Sequence, residues 1–190
     1  DYSELGIYSG AFKLVSVLMM LQSAFNLLWA PIVYRWNSER KNVKELFRTT
    51  RYILAVLVFC YGGVCLVGDL LVRLLGSKYC DSAKLVPMLA SVPVFYIASE
   101  ITGIGISLSR KTWIAPIVSG FAAITCVISN FYLVPKLGAI GAAISTSSAY
   151  LVYLVTRTIF ASLVWEKDGF LPISIFILAV VCIGFLAYFH

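Results

Sequence analysis

Glu100 is an acidic side chain inside a long apolar stretch, where it could bind a proton or a sodium ion. It lies ten residues before Arg110, roughly 15 Å along a helix, which places it near the centre of a bilayer. Small and polar residues share its helix face at spacings of three and four: Tyr96, Ser99, Gly103 and Ser107. Ionisable groups are costly at that depth, so we take Glu100 as a candidate for ion coupling. The alternative is a protonated carboxyl that only forms a structural hydrogen bond between helices.

Lys13 is a basic side chain within the first apolar stretch, and it could bind an anionic group. Three serines repeat on its helix face: Ser9, Ser16 and Ser23. Together they form a polar stripe that is suited to a central cavity. Lys13 lies 22 residues before Arg35, roughly 33 Å along the axis, near the outer membrane boundary, so reaching to the headgroups is the alternative. We take Lys13, Ser9, Ser16 and Asn26 as candidate substrate-binding residues, with interhelical hydrogen bonding the alternative for Asn26.

The sequence contains no other arrangement of side chains with a recognisable chemistry. A nucleophile–base pair, a paired carboxylate, a phosphate-binding loop and zinc-ligand spacing are all missing. The five cysteines are scattered and form no Cys-x-x-Cys pair. We therefore expect no catalytic residues, no metal site and no cofactor, and we do not interpret the chain as an enzyme.

The composition is that of a membrane protein. Of the 190 residues, 61% are hydrophobic and only 13% are charged, whereas soluble domains carry about a quarter charged residues. The formal net charge of +6 could indicate nucleic acid binding. However, the basic residues lie between the apolar runs, where anionic headgroups explain them better. The predicted partner is the lipid bilayer and not a nucleic acid.

The apolar runs predict an all-α polytopic membrane protein with about six transmembrane helices in one bundle. The predicted helices span residues 5–34, 52–75, 85–108, 113–133, 139–160 and 172–189. Residues 35–51 are predicted to form a cytoplasmic interfacial segment, with a short amphipathic helix inside it.

Residues 113–160 read as two helices joined by the short connection 134–138. Gly141, Ser145 and Ala149 recur every fourth residue in the second helix. This spacing of small side chains allows two helices to approach closely in lipid. We predict that the three residues form a helix-packing face.

The lysine and arginine distribution predicts the orientation. Ten basic residues fall on one side: Arg35, Arg40, Lys41, Lys44, Arg48, Arg51, Arg110, Lys111, Arg157 and Lys167. Four fall on the other side: Arg73, Lys78, Lys84 and Lys136. The first side is therefore predicted to be cytoplasmic. Because the chain begins at Asp1 without a methionine, we expect it to be part of a longer protein of the inner membrane.

Several stretches, in this order, resemble a known family. They are residues 6–14 (Gly-Ile-Tyr-Ser-Gly-Ala-Phe-Lys-Leu), 23–26 with Trp29 and Pro31, 75–79 with Ala83 and Pro87, 109–112, and 134–143. Together they resemble the polysaccharide transporter branch of the multidrug/oligosaccharidyl-lipid/polysaccharide exporter superfamily. The chain looks like the C-terminal half of an O-antigen or exopolysaccharide flippase.

The resemblance implies a function and a set of partners. Two helical bundles would surround a cationic cavity, and alternating access would carry a polyprenyl-diphosphate-linked oligosaccharide across the membrane. The second bundle would be an N-terminal one that lies outside this sequence. Lys13 lies in the matching Tyr-Ser-x-Ala-x-Lys stretch, so the resemblance assigns it the contact with the anionic cargo.

Other functions remain open at this point. A peptidoglycan-precursor flippase or a drug/cation antiporter would share the superfamily's fold. From another class, the chain could be a membrane scaffold without transport, although a scaffold rarely needs an intramembrane carboxyl such as Glu100. A membrane glycosyltransferase or acyltransferase would need a carboxylate or histidine near the membrane surface, and we find none.

Overall fold

A computed structural model describes residues 2–38, 43–75, 85–164, 176–177, 179–181 and 183–184. These residues are almost entirely helical and contain no strand. Four helices are assigned in this part of the chain: α1 (Tyr2–Ser38), α2 (Val43–Leu75), α3 (Val86–Leu108) and α4 (Ile114–Val164). Each contains an apolar stretch long enough to cross a membrane. The prediction of an all-α membrane protein is confirmed.

Helix α3 lies at the centre of the bundle. In its apolar window 83% of the residues are buried, compared with 11% in α1, 17% in α2 and 6% in α4. Helices α1, α2 and α4 all pack against it. Near its start, the Tyr61 hydroxyl of α2 donates a hydrogen bond of 2.9 Å to the Pro87 carbonyl. The other helices therefore expose most of their apolar surface, as expected for elements that contact lipid or further protein.

Helix α4 is two helices that meet at Gly138. This glycine has φ 56° and ψ −128°, a backbone conformation that side chains disfavour. A Cβ at Gly141 would lie 2.4 Å from the Leu133 carbonyl oxygen, a distance impossible along one straight helix. The chain therefore reverses here, and residues 139–164 fold back against residues 114–137. Gly141, Ser145 and Ala149 are all buried in the second helix.

The observed helix bounds differ from the predicted ones by more than one residue at α1, α2 and α4. Helix α1 extends beyond the predicted 5–34 at both ends, from Tyr2 to Ser38. Helix α2 begins at Val43, so residues 43–51 are its first turns and not a separate interfacial helix. No proline or glycine interrupts the backbone hydrogen bonds between Val43 and Tyr52, which explains the continuity. Helix α4 continues past the predicted end at residue 160 to Val164. Residues 39–42 and most of the predicted sixth helix, 172–189, lie outside the described part.

Candidate functional site

Glu100 of α3 pairs with Arg157 of α4. Both terminal nitrogens of the guanidinium donate to the carboxylate, Nη1 to Oε1 at 2.5 Å and Nη2 to Oε2 at 3.0 Å. The exposed fractions of the two side chains are 14% for Arg157 and 23% for Glu100. Two-pronged pairs of this kind are the strong, geometrically specific form of an ion pair. The charge that costs most within the membrane is thus neutralised between two helices.

The pair forms because α3 and the second half of α4 run parallel and in register. Ser91 and Ser147 share a hydrogen bond of 2.5 Å, and Thr102 and Thr158 share one of 2.9 Å. Both contacts join residues that are 56 positions apart. Because the offset is the same at both contacts, the two helices keep one register along the line where they meet, which we call the seam. Short hydroxyl side chains allow the close approach and satisfy each other away from water.

Gly103 provides the space for Arg157. A Cβ at position 103 would lie 2.1 Å from Arg157 Nε and 2.8 Å from its Cδ. The Arg157 side chain therefore passes directly over the α3 backbone at Gly103 before it reaches Glu100. Because Gly103 is itself buried, any side chain there would displace the arginine.

Three tyrosine rings surround the ion pair. The Tyr96 and Tyr153 rings are parallel within 1°, with centroids 6.1 Å apart, and Tyr150 meets both rings edge-on. Arg157 lies 5.5 Å from the centroid of the Tyr153 ring and donates a hydrogen bond of 3.0 Å to the Tyr153 hydroxyl. The ring face and the cation attract each other electrostatically. We call Tyr96, Glu100, Tyr150, Tyr153 and Arg157 the tyrosine–ion-pair cluster.

The sequence analysis did not identify Arg157 as the partner of Glu100. It counted the arginine only among the basic residues of the predicted cytoplasmic side, whereas the structure shows Arg157 of α4 paired with Glu100 of α3. The sequence does contain a local indication of this arrangement. Tyr150 and Tyr153 precede Arg157 by seven and four residues, which puts all three on one helix face. With its partner identified, Glu100 no longer needs a bound ion to compensate its charge.

The serines of the Lys13 stripe are satisfied by their own helix. Ser9 Oγ donates to the Gly6 carbonyl at 2.9 Å, and Ser16 Oγ donates to the Lys13 carbonyl at 2.6 Å. Ser23 Oγ likewise donates to the Met19 carbonyl at 2.9 Å. These bonds leave each hydroxyl oxygen able to accept a further bond.

The stripe lies on the outer face of α1. The buried residues of this helix include Ala11 and Val15, which are two positions from Lys13 and therefore on nearly the opposite side. Lys13 is exposed, and its side chain makes no hydrogen bond or ion pair with any residue the structure describes. The structure does not bring Lys13 to the tyrosine–ion-pair cluster.

Asn26 lies on the packed side of α1, next to Trp29. Asn26 Oδ1 and Trp29 Nε1 are buried and have no hydrogen-bond partner. An acceptor and a donor left unpaired in an apolar surrounding cost a few kcal/mol. A hydroxyl group or a water molecule would satisfy both, because each can donate and accept.

Comparison with known proteins gives one curated relative. The chain is 21% identical, over 96% of its length, to the probable low-salt glycan biosynthesis flippase Agl15 of Haloferax volcanii. The match covers 41% of that protein, so the chain spans about two fifths of the relative's length. No family model matches the chain, and no solved structure matches it.

Proposed function

We propose that this chain belongs to a flippase that moves a polyprenyl-diphosphate-linked oligosaccharide across the inner membrane by alternating access. The apolar helices and the glycan flippase among its relatives support a multi-pass membrane transporter. The glycan in the relative's name favours this cargo over a drug or a cation. The observation that carries the proposal is the polar stripe on the outer face of α1.

The stripe argues for a cavity because of where it lies. Lys13, Ser9 and Ser16 turn away from the helices that α1 packs against, and the lysine has no described counter-ion. A diphosphate leaving the headgroup region needs a positive partner, since an unpaired anion in a low dielectric is very costly. Lys13 supplies that partner near the outer boundary, where it would contact the cargo late, during outward release.

The opposite wall of the cavity would come from a second helical bundle. The chain spans about two fifths of its relative, which leaves room for such a bundle in a full-length protein. In the proposed arrangement the stripe of α1 faces that bundle, and the two bundles rock about the cargo. Asn26 lies on the packed side of α1 with its Oδ1 buried, so it would reach a cargo hydroxyl only if the neighbouring helices moved apart during the cycle.

Ion coupling through Glu100 remains part of the proposal. During the transport cycle, the Glu100 carboxylate would release Arg157 and bind a proton or a sodium ion instead. Loss of the ion pair would loosen the contact between α3 and α4. Because a two-pronged pair must break, the exchange would accompany a conformational step and would not occur in the resting protein.

Substitution of Lys13 in the full-length protein tests the proposal in cells. We expect Lys13→Ala to abolish surface glycan, and Lys13→Arg to keep part of it because the charge persists with altered geometry. The matched control is Lys136→Ala, which removes one exposed lysine at the hairpin of α4 and should leave export unchanged. Protein levels in the membrane are compared by immunoblot. Full export by the alanine variant would show that Lys13 only reaches to the headgroups.

A further inference from the structure

Helix α3 has a partly exposed patch in its buried central part. Between Leu89 and Ile101 every residue of this helix is buried except Tyr96 and Glu100, which are one turn apart. Tyr150, Tyr153 and Arg157 of α4 are also only partly buried, so the five side chains form one continuous patch. Glu100 lies eight residues before the end of α3, roughly 12 Å along the axis, within the membrane span.

The patch retains unused hydrogen-bonding capacity. Arg157 has five N–H donors, of which three serve Glu100 and Tyr153. The Glu100 carboxylate has about four acceptor positions, of which the arginine uses two and the Tyr96 hydroxyl a third. Free donors and free acceptors therefore lie side by side at a depth where hydrocarbon satisfies neither. A partly exposed patch of this kind requires a polar ligand or water in front of it.

Charge and shape select the ligand. Because Glu100 neutralises Arg157, the patch has no net charge with which to attract a diphosphate or an organic cation. Adjacent sugar hydroxyls each donate and accept, which matches neighbouring guanidinium and carboxylate groups. The three tyrosines are partly exposed, and a tyrosine ring face with its negative quadrupole suits the slightly positive C–H groups on one side of a sugar ring.

We propose that the tyrosine–ion-pair cluster is a glycan-binding subsite that holds a neutral sugar of the cargo. This inference rests on the proposed function, because it assumes a cargo that carries an oligosaccharide. It assigns two tasks to two sets of residues: Lys13 binds the diphosphate, and the cluster binds sugar. The ion pair thereby acquires a role beyond joining α3 to α4.

Binding measurements on the purified full-length protein test the subsite. The probes are lipid-linked oligosaccharides extracted from the producing cells, and a polyprenyl diphosphate of the same chain length without sugar. We expect Tyr96→Leu and Tyr153→Leu each to weaken binding of the first probe about fivefold and to leave the second unchanged, since one ring contact contributes about 1 kcal/mol. Tyr96→Phe keeps the ring and should stay near the wild-type value. The matched control is Tyr132→Leu, which removes an exposed tyrosine elsewhere in α4.

A second measurement uses the wild-type protein and does not depend on folding of the variants. Sugar C–H protons that lie over a tyrosine ring should shift upfield in the NMR spectrum of the bound oligosaccharide. Equal binding of the glycan-bearing probe by wild type and the leucine variants would overturn the subsite, as would the absence of upfield shifts. An equal loss for both probes would also overturn it. If the wild type bound neither probe, the proposed function itself would fail.

Discussion

At the residue scale, the main finding is that Glu100 and Arg157, two charges within the apolar helices α3 and α4, are paired. Glu100 and Arg157 meet in two hydrogen bonds, and Gly103 leaves the space that the arginine needs. An ion pair away from water is stable only when its geometry is good and its remaining hydrogen bonds are made. The Tyr153 hydroxyl and ring supply part of that requirement.

Gly103→Ala should destabilise the protein. The added methyl group would overlap Arg157, so the arginine must leave Glu100 or the helices must move apart, at a cost of about 1–3 kcal/mol. Gly120→Ala is the matched control, because a Cβ there meets nothing within 4 Å and alanine favours a helix. Thermal unfolding of the full-length protein in detergent measures both. Equal stability of the two variants would contradict the close contact between Arg157 and Gly103.

The sequence could locate Glu100 but not its partner. Its position in an apolar run, ten residues before Arg110, gives its depth directly. Pairing with Arg157 depends on the offset of 56–57 residues between α3 and α4, a tertiary property that single-helix spacing does not contain. Similarly, the Lys13 stripe follows from helical spacing, but its outward direction depends on which residues of α1 meet α3.

At the element scale, the hairpin of α4 positions Arg157. The reversal at Gly138 returns the chain so that residues 139–164 lie between α3 and residues 114–137. The short connection 134–138 and its glycine were sufficient to predict a break at this point. The start of α2 was not predictable in the same way, because the charged residues before Tyr52 resemble an interfacial segment although the helix continues through them.

Gly141→Leu should disrupt this hairpin. Its Cβ alone would lie 2.4 Å from the Leu133 carbonyl, and backbone cannot move aside as a flexible side chain can. We expect a loss of about 3 kcal/mol or more, with reduced export. Gly63→Leu, at an exposed helical glycine with nothing within 4 Å of a Cβ, is the control and should be tolerated. An unfolding temperature unchanged by Gly141→Leu would show that the two halves of α4 do not pack closely.

At the scale of the whole molecule, two polar features interrupt the apolar surface of a bundle with α3 at its centre. The Lys13 stripe lies on the outer side of α1, and the tyrosine–ion-pair cluster lies on the seam of α3 and α4. A scaffold would need neither feature, since polar groups facing hydrocarbon only destabilise a membrane protein. In a flippase the two features would meet the two parts of the cargo headgroup, the diphosphate and the sugar.

The most direct test of the proposed function is transport by the full-length protein in proteoliposomes. A fluorescent polyprenyl-diphosphate-linked oligosaccharide is incorporated into both leaflets, and a membrane-impermeant reductant quenches the outer one. We expect wild-type protein to make nearly all the fluorescence accessible, whereas protein-free vesicles keep about half protected because spontaneous crossing of a charged glycan is very slow. Protection of the same half in vesicles that contain the folded protein, with and without an imposed ion gradient, would contradict the flippase account.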